Sequence, residues 1–355
     1  MKAKIKRFFD TVKAFLKRKN VVISAKRYGI DALGAMAQGL FCSLLIGTII
    51  KTVGQQLGVD LFVTVGQFAA DMSGAAMAVA IGYALQAPPL VLFSLAAVGY
   101  ASNQCGGAGG PLAVLVIAVI AGELGKLISK ETKIDILITP LVTIIVGCIL
   151  SLWWAPAIGT AASAVGKLIM WATELQPFWM GIVVSVLVGI ALTLPISSAA
   201  ICASLGLVGL AGGAAVAGCC AQMVGFAIMS FRENKWGGLI SQGLGTSMLQ
   251  MGNIVKNPKI WIPAIVTSAV TGPLATCVFG LEMNGPAVSS GMGTCGLVGQ
   301  IGVYTGWVES GKVIGTFDWL GLILICFVIP GVLCWLLGLL CRKIGWIQEG
   351  DLKLD

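Results

Sequence analysis

Nineteen consecutive residues, Ala32–Ile50, carry no charged side chain, and Ile136–Trp153, Trp179–Leu194 and Trp319–Leu340 repeat the pattern. Such runs match the roughly 20 apolar residues a helix needs to cross a hydrocarbon core. A helix satisfies its own backbone hydrogen bonds there, whereas a membrane barrel reads as alternating segments of about ten residues. Pro111–Ile128 joins the candidates although Glu123 and Lys126 interrupt it. Only 11% of the 355 residues are charged, against about 25% in a water-soluble domain, so lipid is the solvent for much of the chain. The sequence predicts an all-α polytopic integral membrane protein of about 8–10 transmembrane helices plus re-entrant hairpins.

Charge is concentrated at the start. Residues 1–27 hold ten Lys and Arg side chains against the single acid Asp10, and Ile5, Phe8, Phe9, Val12, Phe15 and Leu16 recur at helical spacing. This predicts a basic amphipathic helix over 1–27, lying on an anionic leaflet. No long apolar run follows before a small-residue cleavage site, so it does not read as a signal peptide. The positive-inside rule then places the N-terminus in the cytoplasm of a bacterial inner membrane. The clusters Lys126/Lys130/Lys133, Arg232/Lys235, Lys256/Lys259 and Arg342/Lys343 fall on the same side, and so does the C-terminus. The membrane domain is predicted over 28–345, with 346–355 as a short cytoplasmic tail. The remainder is nearly neutral, so no nucleic-acid partner is implied.

Two further boundaries follow from composition. Trp153, Trp154, Trp171 and Trp179 bracket Ala155–Leu175, which reads as an external amphipathic stretch between aromatic belts. Ser230–Lys259, with Gln242, Thr246, Ser247 and Gln250, reads as a cytoplasmic loop.

Chemistry in such a chain belongs where helices break, because irregular backbone at membrane depth must line a cavity or be covered by protein. Three segments combine a breaker with small polar side chains: Asn103–Pro111, Pro195–Ser198 and Glu282–Ser290. They nominate Asn103, Gln104, Ser197, Ser198, Glu282, Asn284 and Ser289 as solute contacts. Asp71, after Gln67 and before Ser73-Gly74, is added because a charge at bilayer depth costs at least ~2.5 kcal/mol and seeks a cavity or partner. Glu282 with Asn284 offers the carboxylate and amide that suit paired sugar hydroxyls. Glu123 has Lys126 three residues on, an ordinary helical ion pair.

Other chemistry is set aside. The glycines of 103–111 are followed by no Gly-Lys-Ser/Thr and are not a phosphate loop. The sequence contains no histidine, so no Ser-His-Asp or Cys-His constellation forms, and no catalytic residue is assigned. The eleven cysteines show no paired metal spacing and read as small packing residues, Cys219 and Cys220 included. No metal or other cofactor is implied.

The Gln104-Cys-Gly-Gly-Ala-Gly-Gly-Pro111, Pro195-Ile-Ser-Ser-Ala-Ala200 and Gly280-Leu-Glu-Met-Asn-Gly-Pro286 stretches resemble the enzyme IIC membrane components of the bacterial phosphotransferase system. The nearest branch is a stand-alone one that includes perfringolysin regulator-like proteins, and the likeness runs over about residues 25–345. The resemblance implies a homodimeric permease holding a sugar-like solute, which a separate cytoplasmic IIB protein phosphorylates. It makes Glu282 the motif glutamate that meets sugar hydroxyls, with Asn103 and Gly106–Gly110 as the glycine-rich sugar-side turn. Two departures stand beside it: many members place a histidine near the sugar, and these 355 residues hold no phosphorylatable IIA or IIB segment. A membrane regulator of the same fold, or a transporter of another small polar or anionic solute uncoupled from phosphate, remain the alternatives.

Overall fold

The computed structural model describes residues 13–354. Residues 1–12 of the expected interfacial helix, and residue 355, lie outside them; 13–18 are helical. Among the described residues there is no strand, and the fold is all-α. The long helices are α1 (Arg27–Leu57), the bent pair α2 (Asp60–Asp71) and α3 (Ser73–Ala84), α4 (Pro89–Gly106), α5 (Gly110–Ile128) and α6 (Asp135–Thr173). After these come α7 (Pro177–Thr193), α8 (Ser198–Leu205), α9 (Gly209–Met229), α10 (Phe231–Ile240), α11 (Pro258–Val278), α12 (Val298–Glu309) and α13 (Thr316–Lys343).

Among the described residues, six stretches are long and apolar enough to cross a membrane, seven if α2 and α3 form one span. Two features separate this number from the eight to ten expected. Pro89–Ile128 counts as one stretch, yet Gly107 at φ +51 reverses the chain, so α5 returns antiparallel along α4 with Gly106 facing Ala113 and Leu95 facing Gly122. The other is α7, whose 17 residues make it a shorter apolar helix.

Small residues set the spacing between helices, as they must where lipid supplies no hydrophobic drive for helix association. Gly47 meets Gly66 between α1 and α2, Gly74 meets Gly99 between α3 and α4, and Gly181 meets Gly272 between α7 and α11. Helix α9 is the axis of the second half, with almost every side chain from Ala211 to Met229 buried.

Two expectations about the chain's course are corrected. The stretch Ala155–Leu175 is not separated from the span before it: α6 runs unbroken through Trp153, Trp154 and Pro156 to Thr173. At about 1.5 Å per residue it is far longer than a membrane core is thick. The 230–259 stretch is not a loop either. After α10 the chain folds back, and Gln242, Thr246, Ser247 and Gln250 are buried. The 346–354 segment closes over this region: the Asn234 and Gln250 amides donate to Leu352 O at 2.8 and 2.9 Å, and Asn253 donates to Lys353 O at 2.8 Å. The expected Glu123–Lys126 pair is present at 2.8 Å.

Candidate solute site

The site begins at the bend between α2 and α3, which differ by 46° in direction. Asp71 ends α2 there, and its carboxylate accepts from the Gln67 amide one turn back at 2.7 Å. Gln67 in turn accepts from Lys51 Nζ at 2.7 Å, giving a cation–amide–carboxylate chain from α1 to the bend. Asn103, near the end of α4, donates to Ser73 at 3.3 Å. The glycine-rich turn after it presents Ala108 O to the backbone N–H of Ser197 at 2.9 Å. The Ser197 hydroxyl meanwhile caps α8 by accepting from Ala200 N at 3.2 Å. The first two sequence breaks therefore touch, and Ser198 of the second also meets the Ala287–Gly291 turn at the end of the third.

Asp71, Asn103, Gln104 and Ser197 line one cavity of about 270 Å³, together with Gln67 and Ser73. A larger cavity of about 620 Å³ shares Leu44, Gln67, Ala70 and Ser197 with it and adds Ser289, Lys51, Thr48 and Thr305. Five of the eight nominated residues thus border a joined space. Ser198 does not: it is buried, and its hydroxyl donates to Gly291 O at 2.7 Å. Glu282 and Asn284 are exposed, bonded to each other at 2.9 Å, and line neither cavity. Their segment is held extended by the Gly209–Met283 bridge, with bonds of 2.9 and 3.0 Å. Alternation along it turns Met283 inward and leaves Glu282 and Asn284 on the outer face.

Sequence reasoning missed Lys51, Gln67 and the buried 241–250 segment. A signal for the last was present: Gly243-Leu-Gly-Thr-Ser247 and Gly291-Met-Gly-Thr-Cys295 share one pattern. The structure brings the two together, with Thr294 Oγ1 donating to Gly243 O. Behind the first, Ser247 bonds Thr193 at 2.7 Å, Thr193 reaches Gln222 at 3.3 Å, and Trp261 Nε1 donates to Gln222 at 2.7 Å. Ser247, Thr193 and Gln222 are fully buried and Trp261 partly so; they satisfy one another, which removes most of the cost of taking them out of water. Helix α1 lies across both turns, with the Phe41 ring on Gly245 and Ile49 on Gly296.

A third cavity, of about 560 Å³, lies on the other side of this contact, lined by Asp31, Gln38, Phe41, Cys42, Asn253 and Lys256 among others. It shares no residue with the 620 Å³ cavity. The two follow α1 in order, the first along its initial half and the second along its final turns.

Apolar helices broken at polar turns, with cavities against the breaks, are the construction of a membrane transport protein. The family model described as Phosphotransferase system, EIIC, matches residues 30–354, and the chain belongs to that family. It is a membrane permease of the phosphotransferase type in that general sense. No curated protein and no solved structure matches it.

Proposed function

We propose that the chain binds a sugar-like polar solute in the joined cavities around Asp71 and Ser197 and passes it by alternating access. One observation carries this reading: two cavities follow each other along α1 without a shared lining residue, and where one gives way to the next Phe41 packs on the first of the paired Gly-x-Gly-Thr turns. Between apolar walls, the larger one is also lined by the hydroxyls and amides of Thr48, Thr52, Gln55, Gln56, Ser289 and Thr305. Such groups both donate and accept, as a polyol requires. Asp71 and Lys51 add one charge of each sign, which orients the solute without making the space strongly charged.

Family membership supports a separate cytoplasmic IIB protein as phosphate donor and a homodimeric permease. By the positive-inside rule, the face carrying Lys126, Lys130, Lys256 and Arg342 is cytoplasmic in a bacterial inner membrane, so the 560 Å³ cavity opens inward.

Thermal unfolding of the detergent-purified protein against sugars, sugar alcohols, sugar acids and small anions tests the substrate class. A solute at 100 times its dissociation constant is expected to stabilise the fold by ~2.7 kcal/mol. A shift given only by compounds without hydroxyl groups contradicts the polyol assignment.

A further inference from the structure

A pocket of about 410 Å³ lies apart from the solute cavities, where the N-terminal segment, the turn between α3 and α4 and the loop after α5 meet. Among the described residues four cations line it, Arg18, Lys19, Lys126 and Lys130, against one acid, Glu131. Lys126 is 1% exposed, and its ammonium is held by Glu123 at 2.8 Å, Asn20 O at 2.7 Å and Leu85 O at 3.0 Å. Burying a lysine is costly, and here it fixes a cation at the pocket's base.

The backbone around the pocket is also unusual. Asn20 at φ +54, Gln86 at φ +55 and Lys130 at φ +62 all line it, and they are three of the five non-glycine residues with positive φ among those described. Each follows the end of a helix, and the left-handed turns at Asn20 and Gln86 are helix C-caps, with Val21 N–H donating to Leu16 O and Ala87 N–H to Gly82 O, as left-handed caps do. The Asn20 amide donates to Gln86 at 2.6 Å, tying two of these residues together.

Glu131 shows what this pocket selects. Its carboxylate accepts from both Arg18, at 2.7 Å, and Lys19. The Lys19 hydrogen bond is the chief reason that its carboxyl is held below the usual range. Arg18 and Lys19 therefore already gather on the carboxylate that lines the pocket, while Lys126 is paired with Glu123 and the Lys130 ammonium is in excess.

We propose that this pocket binds a phosphate group, with Arg18, Lys19 and Lys130 closing on its oxygens above the fixed Lys126 charge. Arginine suits paired phosphate oxygens, and lysine contributes as a point charge. The pocket lies among the basic clusters at one face of the bundle, where anionic head groups collect against such residues. The phosphate is either that of an anionic lipid or that of a small soluble ester, and it ties the N-terminal segment to α3, α4 and α5.

The full chain, purified in a phosphate-free detergent, is titrated at constant ionic strength while thermal unfolding is followed. The probes are short-chain phosphatidylglycerol, phosphatidylcholine, glycerol 3-phosphate and inorganic phosphate. Stabilisation by phosphatidylglycerol alone assigns the site to a lipid head group; stabilisation by glycerol 3-phosphate or inorganic phosphate assigns it to a soluble one. In either case Arg18→Gln with Lys130→Gln is expected to weaken the effect at least tenfold, leaving unliganded stability near that of the wild type. Lys130→Glu alone serves where the double variant does not fold. No stabilisation by any anionic probe, equal stabilisation by phosphatidylcholine, or an undiminished effect in a folded variant overturns the proposal.

Discussion

Gly218→Val is expected to leave little folded protein to purify. Gly218 sits in the buried centre of α9, and a Cβ there would overlap the Ser185 carbonyl of α7. The same point is tied to a third helix: Ser185 Oγ donates to Ser268 O at 2.7 Å, and Ser268 Oγ donates to Gly218 O at 3.3 Å. Separating α7 from α9 would thus strain the contact with α11 as well. Backbone cannot give way as a side-chain end can, and in lipid close packing carries most of the helix association. We expect a loss of at least about 3 kcal/mol, the upper range for overpacking, read as aggregation on size exclusion or a collapsed melting transition. Gly237→Ala is the control, because nothing lies within 4 Å of its added Cβ. A monodisperse Gly218→Val protein melting with the wild type would contradict this packing.

Asp71→Asn is expected to lower solute affinity by about ten- to a hundredfold while leaving the melting temperature of the unliganded protein nearly unchanged. The change is isosteric, and the amide oxygen can still accept from Gln67. What disappears is the carboxylate that borders the 270 Å³ cavity. Hydrogen bonds to a charged group are worth about 1.5–3 kcal/mol, which sets the expected range. Glu282→Gln, measured beside it, separates two assignments. The family resemblance makes Glu282 the principal sugar contact, whereas its exposed pairing with Asn284 outside both cavities supports a much smaller effect. Binding lost in Glu282→Gln and kept in Asp71→Asn would move the site away from the cavity.

The helical class was legible because long uncharged runs admit one solution in lipid. The breaks at Asn103–Pro111 and Pro195–Ser198 were legible too, since glycine and proline mark them. Their union was not: the Ala108–Ser197 hydrogen bond joins segments far apart in sequence, and no local pattern encodes that pairing. Ser230–Lys259 misled because its glutamines and hydroxyls read as solvated. The structure buries them by giving each a partner, Gln242 with Ser230 at 2.8 Å and Gln250 with Gln242 at 2.9 Å. Trp153 and Trp154 read as an aromatic belt closing a span, but α6 runs on through them and carries Pro156 internally. Nothing near Lys51 in the sequence ties it to a cavity; the Lys51–Gln67–Asp71 hydrogen-bond chain is what makes it part of a wall.

The barrier between the two large cavities is the core of the account, and cysteine accessibility in oriented vesicles tests it without knowing the solute. Cys42 lines the cavity on the basic face, and Gln56 lines the opposite one. A membrane-impermeant maleimide is expected to label Cys42 from the side bearing the basic clusters and Gln56→Cys from the other side, with Cys42→Ser giving the background. Labelling of both positions from the same side would mean that the paired turns and Phe41 do not divide the path, and the alternating-access reading would fall.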